Sequence, residues 1–241
     1  MKGLDFRLVK SMLQSDFPNP LPGGGAHKLL APVPRPNWVP GVVPADGKPA
    51  AVLILLFPMR ITKSATPPDD SRQGDVTSQT VPPPTEVIYE TGLLYTERTD
   101  VVRSHQRQIC FPGGSVESGE TAEETALRET EEEIGIPREM PQLLGRLSPL
   151  WISATGFTVT PVVAMLESLP ELRLNPHEVK RVIEYPLCEL MQGGAVKTDT
   201  MLTDGIWVKV PHFTFPDGKL WGATAMMTSE LLTLLGWPGA V

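Results

Sequence analysis

Glu129, Glu132 and Glu133 stand at spacings i, i+3 and i+4. On a helix, at about 100° per residue, these three carboxylates share roughly one third of the circumference. Like charges stacked in this way repel and cost helix stability unless a cation sits among them. Hard oxygen ligands of this kind select Mg2+ or Mn2+, which keep part of their water shell and share it with substrate phosphates. Such a cation neutralises charge building on a bridging oxygen and lowers the pKa of an attacking water, which is the chemistry that hydrolysis of a diphosphate requires. An isolated Glu-rich run would read better as a solvated acidic helix; here the spacing of the surrounding residues favours the metal.

A second group is basic. Arg98, Arg103, His105 and Arg107 lie within ten residues, just before the sequence Phe111-Pro112-Gly113-Gly114, in a chain of formal charge −7. Together they offer charge-assisted hydrogen bonds to a phosphate, although each taken singly reads equally well as surface Arg or His. The candidate general base is Glu178, in the loop Asn-Pro-His-Glu-Val-Lys, with Glu132 as its competitor. Trp151, Phe157 and Trp221 could stack a base, but single aromatics are more often core. His177 and His212 read as surface residues. The run Gly23 to Gly25 precedes no Gly-Lys-Ser/Thr and reads as a flexible linker rather than a phosphate loop.

These residues need elements to position them. Thr121 followed three residues later by Glu124 is a capping-box signature, and Gly135 ends a helix rich in Ala, Leu and Glu. Leu127 and Ile134, with Thr130 between them, mark the face that packs on a sheet. Strand composition is found at 51–57, 87–89, 93–98, 108–111, 143–150, 158–166 and 179–186, and a closing helix at 223–235. The elements interleave without a regular βαβ repeat, so the expected class is mixed α/β (α+β), a mixed β-sheet sandwiched between α-helices. The expected organisation is an arm over 1–49, made of a short amphipathic helix and an extended Pro/Gly-rich stretch, then one catalytic domain over 50–237. A polar, Pro-rich insertion at about 62–85 reads as flexible.

At 241 residues the chain is long enough for one such domain. Its acidic balance speaks against a nucleic-acid partner. The longest apolar run is far short of the roughly 20 residues that span a bilayer, so no membrane partner is expected. Two cysteines, Cys110 and Cys188, form no disulfide framework and fit a reducing cytoplasm. A monomer and a homodimer are both compatible with the sequence.

The stretch from Gly114 to Ile136 resembles the Nudix box, G-x5-E-x7-R-E-U-x-E-E-x-G-U, where U is a bulky apolar residue. Gly114, Glu120, Arg128, Glu129, Glu132, Glu133, Gly135 and Ile136 stand where that pattern asks, and Thr130 departs from it in place of an apolar residue. The resemblance implies the Nudix fold and a hydrolase that acts on diphosphates with Mg2+ or Mn2+. It implies Glu129 and Glu133 as principal metal ligands, with Glu132 assisting. It also implies Arg128 paired with Glu120 to fix the loop-to-helix geometry, Gly135 as the helix stop, and Gly113 and Gly114 open to metal and phosphates. Upstream, Thr96, Arg98, Arg103 and Phe111 to Gly114 are similar to the motif of the coenzyme A diphosphatase branch; stretches at 155–163, 178–187 and 221–225 look like it too. Tyr95, in place of a small aliphatic residue, and Arg107, in place of Gly, depart from that branch. The branch implies coenzyme A or a derivative as substrate, held by Arg98, Arg103, Phe111, Gly113 and Gly114; Arg107, as one more basic side chain in the cluster, could either add a phosphate contact or block the loop conformation that Gly permits. ADP-ribose, NADH or another nucleoside diphosphate derivative is the alternative, and a nucleotide sensor without catalysis is a second.

Overall fold

The computed structural model describes residues 4–15, 17, 19–35, 38–63, 86–99, 108–192, 194–203, 205–216 and 218–239. In chain order its elements are α1 (Phe6–Ser15), α2 (Gly23–Leu29), β1 (Lys48–Lys63), β2 (Glu86–Arg98), β3 (Ile109–Cys110), β4 (Gly113–Ser115), α3 (Ala122–Ile134), β5 (Gln142–Arg146), β6 (Leu150–Ile152), β7 (Phe157–Met165), β8 (Val179–Pro186), α4 (Leu187–Leu190), β9 (Val196–Thr203), β10 (Ile206–Phe215), β11 (Gly218–Trp221) and α5 (Gly222–Leu234).

The apolar run in β1 buries both of its faces. Ala51, Leu53, Leu55 and Phe57 enter one hydrophobic cluster, and Ala50, Ile54 and Leu56 enter another. A strand that is apolar on both faces belongs inside a sheet covered on both sides. Accordingly β1 runs antiparallel to β2, with Leu55 opposite Leu94, and parallel to β7, with Leu53 opposite Val162. The main sheet has the order β3-β2-β1-β7-β5, with β4 on β1, β6 on β7 and β8 on β2. It is mixed, as the interleaved pattern predicts.

α3 covers one face of this sheet through Ala126 and Ile134, against Leu53, Leu55, Leu94 and Val162. Thr130, in the middle of that face, is buried, and its hydroxyl donates to Ala126 O at 2.7 Å. The polar group is therefore satisfied inside the helix, and the position carries no unpaired donor into the core. α5 covers the other face with Met226, Leu231 and Leu232, joined by Phe6, Val9 and Leu13 of α1 and by Phe213 and Phe215 of β10. Among the described residues no helix is long and apolar enough to cross a membrane.

Two sequence expectations change here. The stretch after α1 is not extended throughout: α2 begins at Gly23, where a flexible linker was expected. The absence of a side chain at Gly24 lets the helix lie on Pro40 and Gly41, since an added Cβ would fall 2.5 Å from Pro40 C. The helix is held by tertiary contacts: Ser229 Oγ donates to Ala26 O at 2.7 Å, and fully buried His27 meets fully buried Glu230 at 2.8 Å. His212, expected at the surface, is buried in β10, with its Nδ1 3.3 Å from Val210 O. The second sheet, β9-β10-β11, was not anticipated from the sequence. Most of the polar, Pro-rich insertion lies outside the described residues, and β1 reaches Lys63 before it.

Candidate active site

α3 starts where its sequence says it should. Thr121 is extended, its hydroxyl accepts from Glu124 N at 3.2 Å, and the Glu124 carboxylate accepts from Thr121 N at 2.7 Å, a complete capping box. Gly135 closes the helix in the left-handed region at φ 76°, donating its N–H to Glu131 O. The carbonyls of Glu133 and Ile134 accept from Asn175 N and Arg173 N, both at 2.9 Å. The loop that carries Glu178 is thereby fastened to the end of the acidic helix. Thr99 completes the fastening from β2: its N–H donates to Glu178 O at 3.0 Å and its hydroxyl to His177 O at 2.9 Å.

In front of the helix, Gly113 and Gly114 of β4 pair with Val52 and Ala51 of β1. The approach is closer than a side chain permits: a Cβ on Gly113 would lie 2.6 Å from Val52 Cα, and one on Gly114 would lie 2.5 Å from Glu129 Cδ. Phe111, expected against substrate, is instead buried in the core and stacks on Tyr95 with ring centroids 4.8 Å apart. Tyr95 is itself buried and meets Thr228 of α5 through its hydroxyl at 3.3 Å. The aromatic that departs from the subfamily pattern therefore anchors the strand leading into the glycines.

Arg128 organises the loop-to-helix junction. Its Nε and Nη2 bind the two oxygens of Glu120 at 2.7 and 3.0 Å, and Nη2 also donates to Ser115 O at 3.2 Å. The bidentate guanidinium, with the Thr125 hydroxyl, holds the Glu120 carboxyl down at about 2. Arg128 Nη1 reaches further, to Glu129 Oε1 at 2.8 Å and Glu132 Oε2 at 3.3 Å. Of the three helix carboxylates, Glu132 is half exposed, Glu129 mostly covered and Glu133 buried.

Glu133 has the most unusual environment. Burial is the main cause that pushes its carboxyl up to about 8; the negative charges of Glu129 and Glu178 add to the rise, while Arg98 and the Gly113 N–H oppose it. Arg98 Nη1 stands 3.9 Å from Glu133 Oε1. Burial likewise raises Glu129, with Glu132 and Glu178 adding to the rise against Arg128. Glu129, Glu133 and Glu178 thus share one electrostatic neighbourhood beside the glycines, and Glu133 Oε2 is buried there without a hydrogen-bond partner. Unpaired buried carboxylate oxygens are costly, and this one leaves a ligand position open.

Among the described residues no three His, Cys, Asp or Glu side chains are gathered closely enough to hold a metal ion as they stand. Arg128 has drawn Glu129 and Glu132 to itself. The donor types, the orphaned oxygen of Glu133 and the side-chain-free backbone of Gly114 fit a hard divalent cation. Arg103, His105 and Arg107 lie outside the described residues. Asn175 escaped sequence reasoning although Asn-Pro is a turn signal: its side chain accepts from His177 N at 3.1 Å and shapes the loop under Glu178. Cys110 was also missed; its thiol lies beside Thr96, Arg98 and Glu133, and burial raises it.

A model described as the NUDIX domain matches residues 86–202. The uncharacterized Nudix hydrolase NudL of Photorhabdus laumondii is 36% identical over 140 residues, 58% of this chain and 74% of that protein. Nudix hydrolase 3 of Caenorhabditis elegans is 34% identical over 160 residues, 60% of this chain and 67% of that protein. Among solved structures, a MutT NUDIX hydrolase from Burkholderia pseudomallei is similar over 76% of this chain and 96% of its own, at 17% identity and a TM-score of 0.41.

Proposed function

Because this chain belongs to the Nudix hydrolase family, whose members cut diphosphate linkages, we propose that its substrate is coenzyme A or a derivative, split into 4′-phosphopantetheine and adenosine 3′,5′-bisphosphate. The observation that carries the hydrolytic part is the buried Glu133 carboxylate, with one oxygen unpartnered and Glu129, Glu178 and Arg98 around it. Glu129 and Glu133 would hold Mg2+ or Mn2+, with Glu132 assisting. When bound, the cation supplies neutralisation of the diphosphate and a more acidic water.

The chain's own residues do the rest. Arg128 locks Glu120 and so fixes the approach of the β4 glycines to the helix. Gly114, lacking a side chain, lets the Glu129 carboxylate lie directly against β4. Glu178, held by Thr99 and Asn175, accepts the proton of the attacking water. Glu132, being half exposed and tied to Arg128, is less well placed for that step. Arg98, next to Glu133, offsets negative charge in the pocket.

The coenzyme A assignment is supported by the motif around Thr96, Arg98, Arg103 and the glycines. A guanidinium at Arg103 suits the 3′-phosphate, which dephospho-coenzyme A lacks. Turnover of coenzyme A, dephospho-coenzyme A, ADP-ribose and NADH with Mg2+ or Mn2+ tests it. Coenzyme A should have the highest kcat/KM, and Arg103→Ala should raise KM for coenzyme A more than for dephospho-coenzyme A. A preference for ADP-ribose removes the substrate assignment and leaves the hydrolase intact.

A further inference from the structure

The ribbon formed by β9 and β10 carries apolar side chains where water would be expected. At its end Met201, Leu202, Ile206 and Trp207 are between 42% and 67% exposed, with Trp207 the most open. Trp207 stands directly opposite Leu202, and Val208 opposite Met201, so the tip is apolar on both faces. A two-stranded ribbon alone in water is marginal, and a clustered apolar tip marks a contact surface.

The two edges of the ribbon differ. On the β10 side, β11 pairs with His212 to Phe215, and the arm pairs further along: Val33 N donates to Lys209 O and Lys209 N to Val33 O, both at 2.8 Å. On the β9 side, among the described residues, β9 pairs with β10 only. Seven of its eight residues are exposed, and no proline interrupts it. A long regular edge strand is a template for another strand unless something opposes pairing.

The charges on β9 favour one particular partner. Lys197 and Asp199 lie two residues apart and so on the same face. Charges of one sign would repel a second copy; this pair is self-complementary across a two-fold axis. With antiparallel β9 strands centred on Thr198, Lys197 of each copy stands opposite Asp199 of the other, on the face where Asp199 already meets Lys219. The same register continues outward, bringing Met201 and Leu202 beside Ala195 and Gly194 of the second copy. Those two residues line a cavity of about 300 Å3, whose walls also include Tyr185, Gln192, Lys197 and Phe213. One register therefore pairs the charges and lays each apolar tip at the mouth of a cavity.

We infer that two copies of this chain associate through antiparallel β9–β9 pairing centred on Thr198, each hairpin tip covering the cavity beside β9 of the other. The contact is isologous and closes at two copies. It lies on the second sheet, away from the β4 glycines, and stands independently of the substrate reading.

Sedimentation and cysteine cross-linking of the full chain test the inference. Wild-type protein at about 50 µM should have twice the chain mass. Thr198→Cys should cross-link to its own counterpart under mild oxidation, whereas Leu202→Cys, placed opposite Gly194, should not. Lys197→Asp should weaken association at least tenfold, and adding Asp199→Lys should recover most of that loss. Trp207→Ser should weaken it similarly while leaving the melting temperature of the dilute monomer unchanged. A wild-type chain that stays monomeric at this concentration overturns the inference. A dimer that cross-links at 202 rather than 198, or that ignores both Lys197→Asp and Trp207→Ser, overturns it equally.

Discussion

Replacing Glu133 by Gln should do two opposite things, both traceable to the burial of its carboxylate. Without metal, the carboxyl titrates at about 8 rather than at its ordinary 4.5. An acid whose folded value lies above its unfolded value contributes stability that is fully present below about pH 4.5 and lost as pH rises through about 8. At ~1.4 kcal/mol per pH unit the difference is on the order of 5 kcal/mol, shared with the neighbours Glu129 and Glu178. Gln is neutral at every pH and nearly the same shape. In chelator at pH 8.5, urea unfolding should therefore find Glu133→Gln more stable than wild type by a few kcal/mol, and at pH 4.5 the two should agree within about 1 kcal/mol. With Mg2+ the order reverses in function: turnover should fall by at least about 10³-fold, since the proposed principal ligand is gone. Parallel stability profiles of the two proteins across pH 4.5–8.5 would refute the burial reasoning. A near-normal rate with Mg2+ would refute the ligand role.

Three further outcomes follow from the same geometry. Gly114→Ala puts a methyl on the Glu129 carboxylate, a movable side chain, so kcat should drop at least about tenfold with little change in melting temperature; Gly113→Ala meets Val52 backbone, which cannot yield, and should lower the melting temperature itself. Glu120→Gln removes a carboxylate held near 2, whose contribution is present above about pH 4.5 and lost as pH falls toward 2; its acid-unfolding midpoint should lie at higher pH than that of wild type. His27→Ala leaves the fully buried Glu230 without its imidazole and should destabilise the fold by about 3–5 kcal/mol in urea, while Glu230→Gln/His27→Gln should recover part of the loss.

The helix with its carboxylates was legible because its limits are written locally: a capping box, a run of helix formers and a left-handed glycine mark out Ala122–Ile134. β1 and β7 were legible because central strands are continuously apolar. The second sheet was not. β9, Val-Lys-Thr-Asp-Thr-Met-Leu-Thr, has no buried residue, so its pattern lacks the alternation that a half-buried strand displays. α2 was hidden for a related reason, since three glycines disfavour helix and tertiary contacts, with α5 and with Pro40 and Gly41, hold it. Within the site, spacing put Glu129, Glu132 and Glu133 on one helix, but the attachment of Arg128 to Glu129 and Glu132 could not be read, because it depends on how the side chains pack in three dimensions.

β1 links the chemistry to the whole interior. Its residues Ala51 and Val52 are bonded to the β4 glycines, and the same strand supplies side chains to both hydrophobic clusters. The β4 glycines beside the acidic helix are therefore held by a strand from the middle of the central sheet. Ile54→Val, which removes one methyl from the interior face of that strand, should therefore be felt in turnover as well as in melting temperature, because the same strand carries both the glycines and the core.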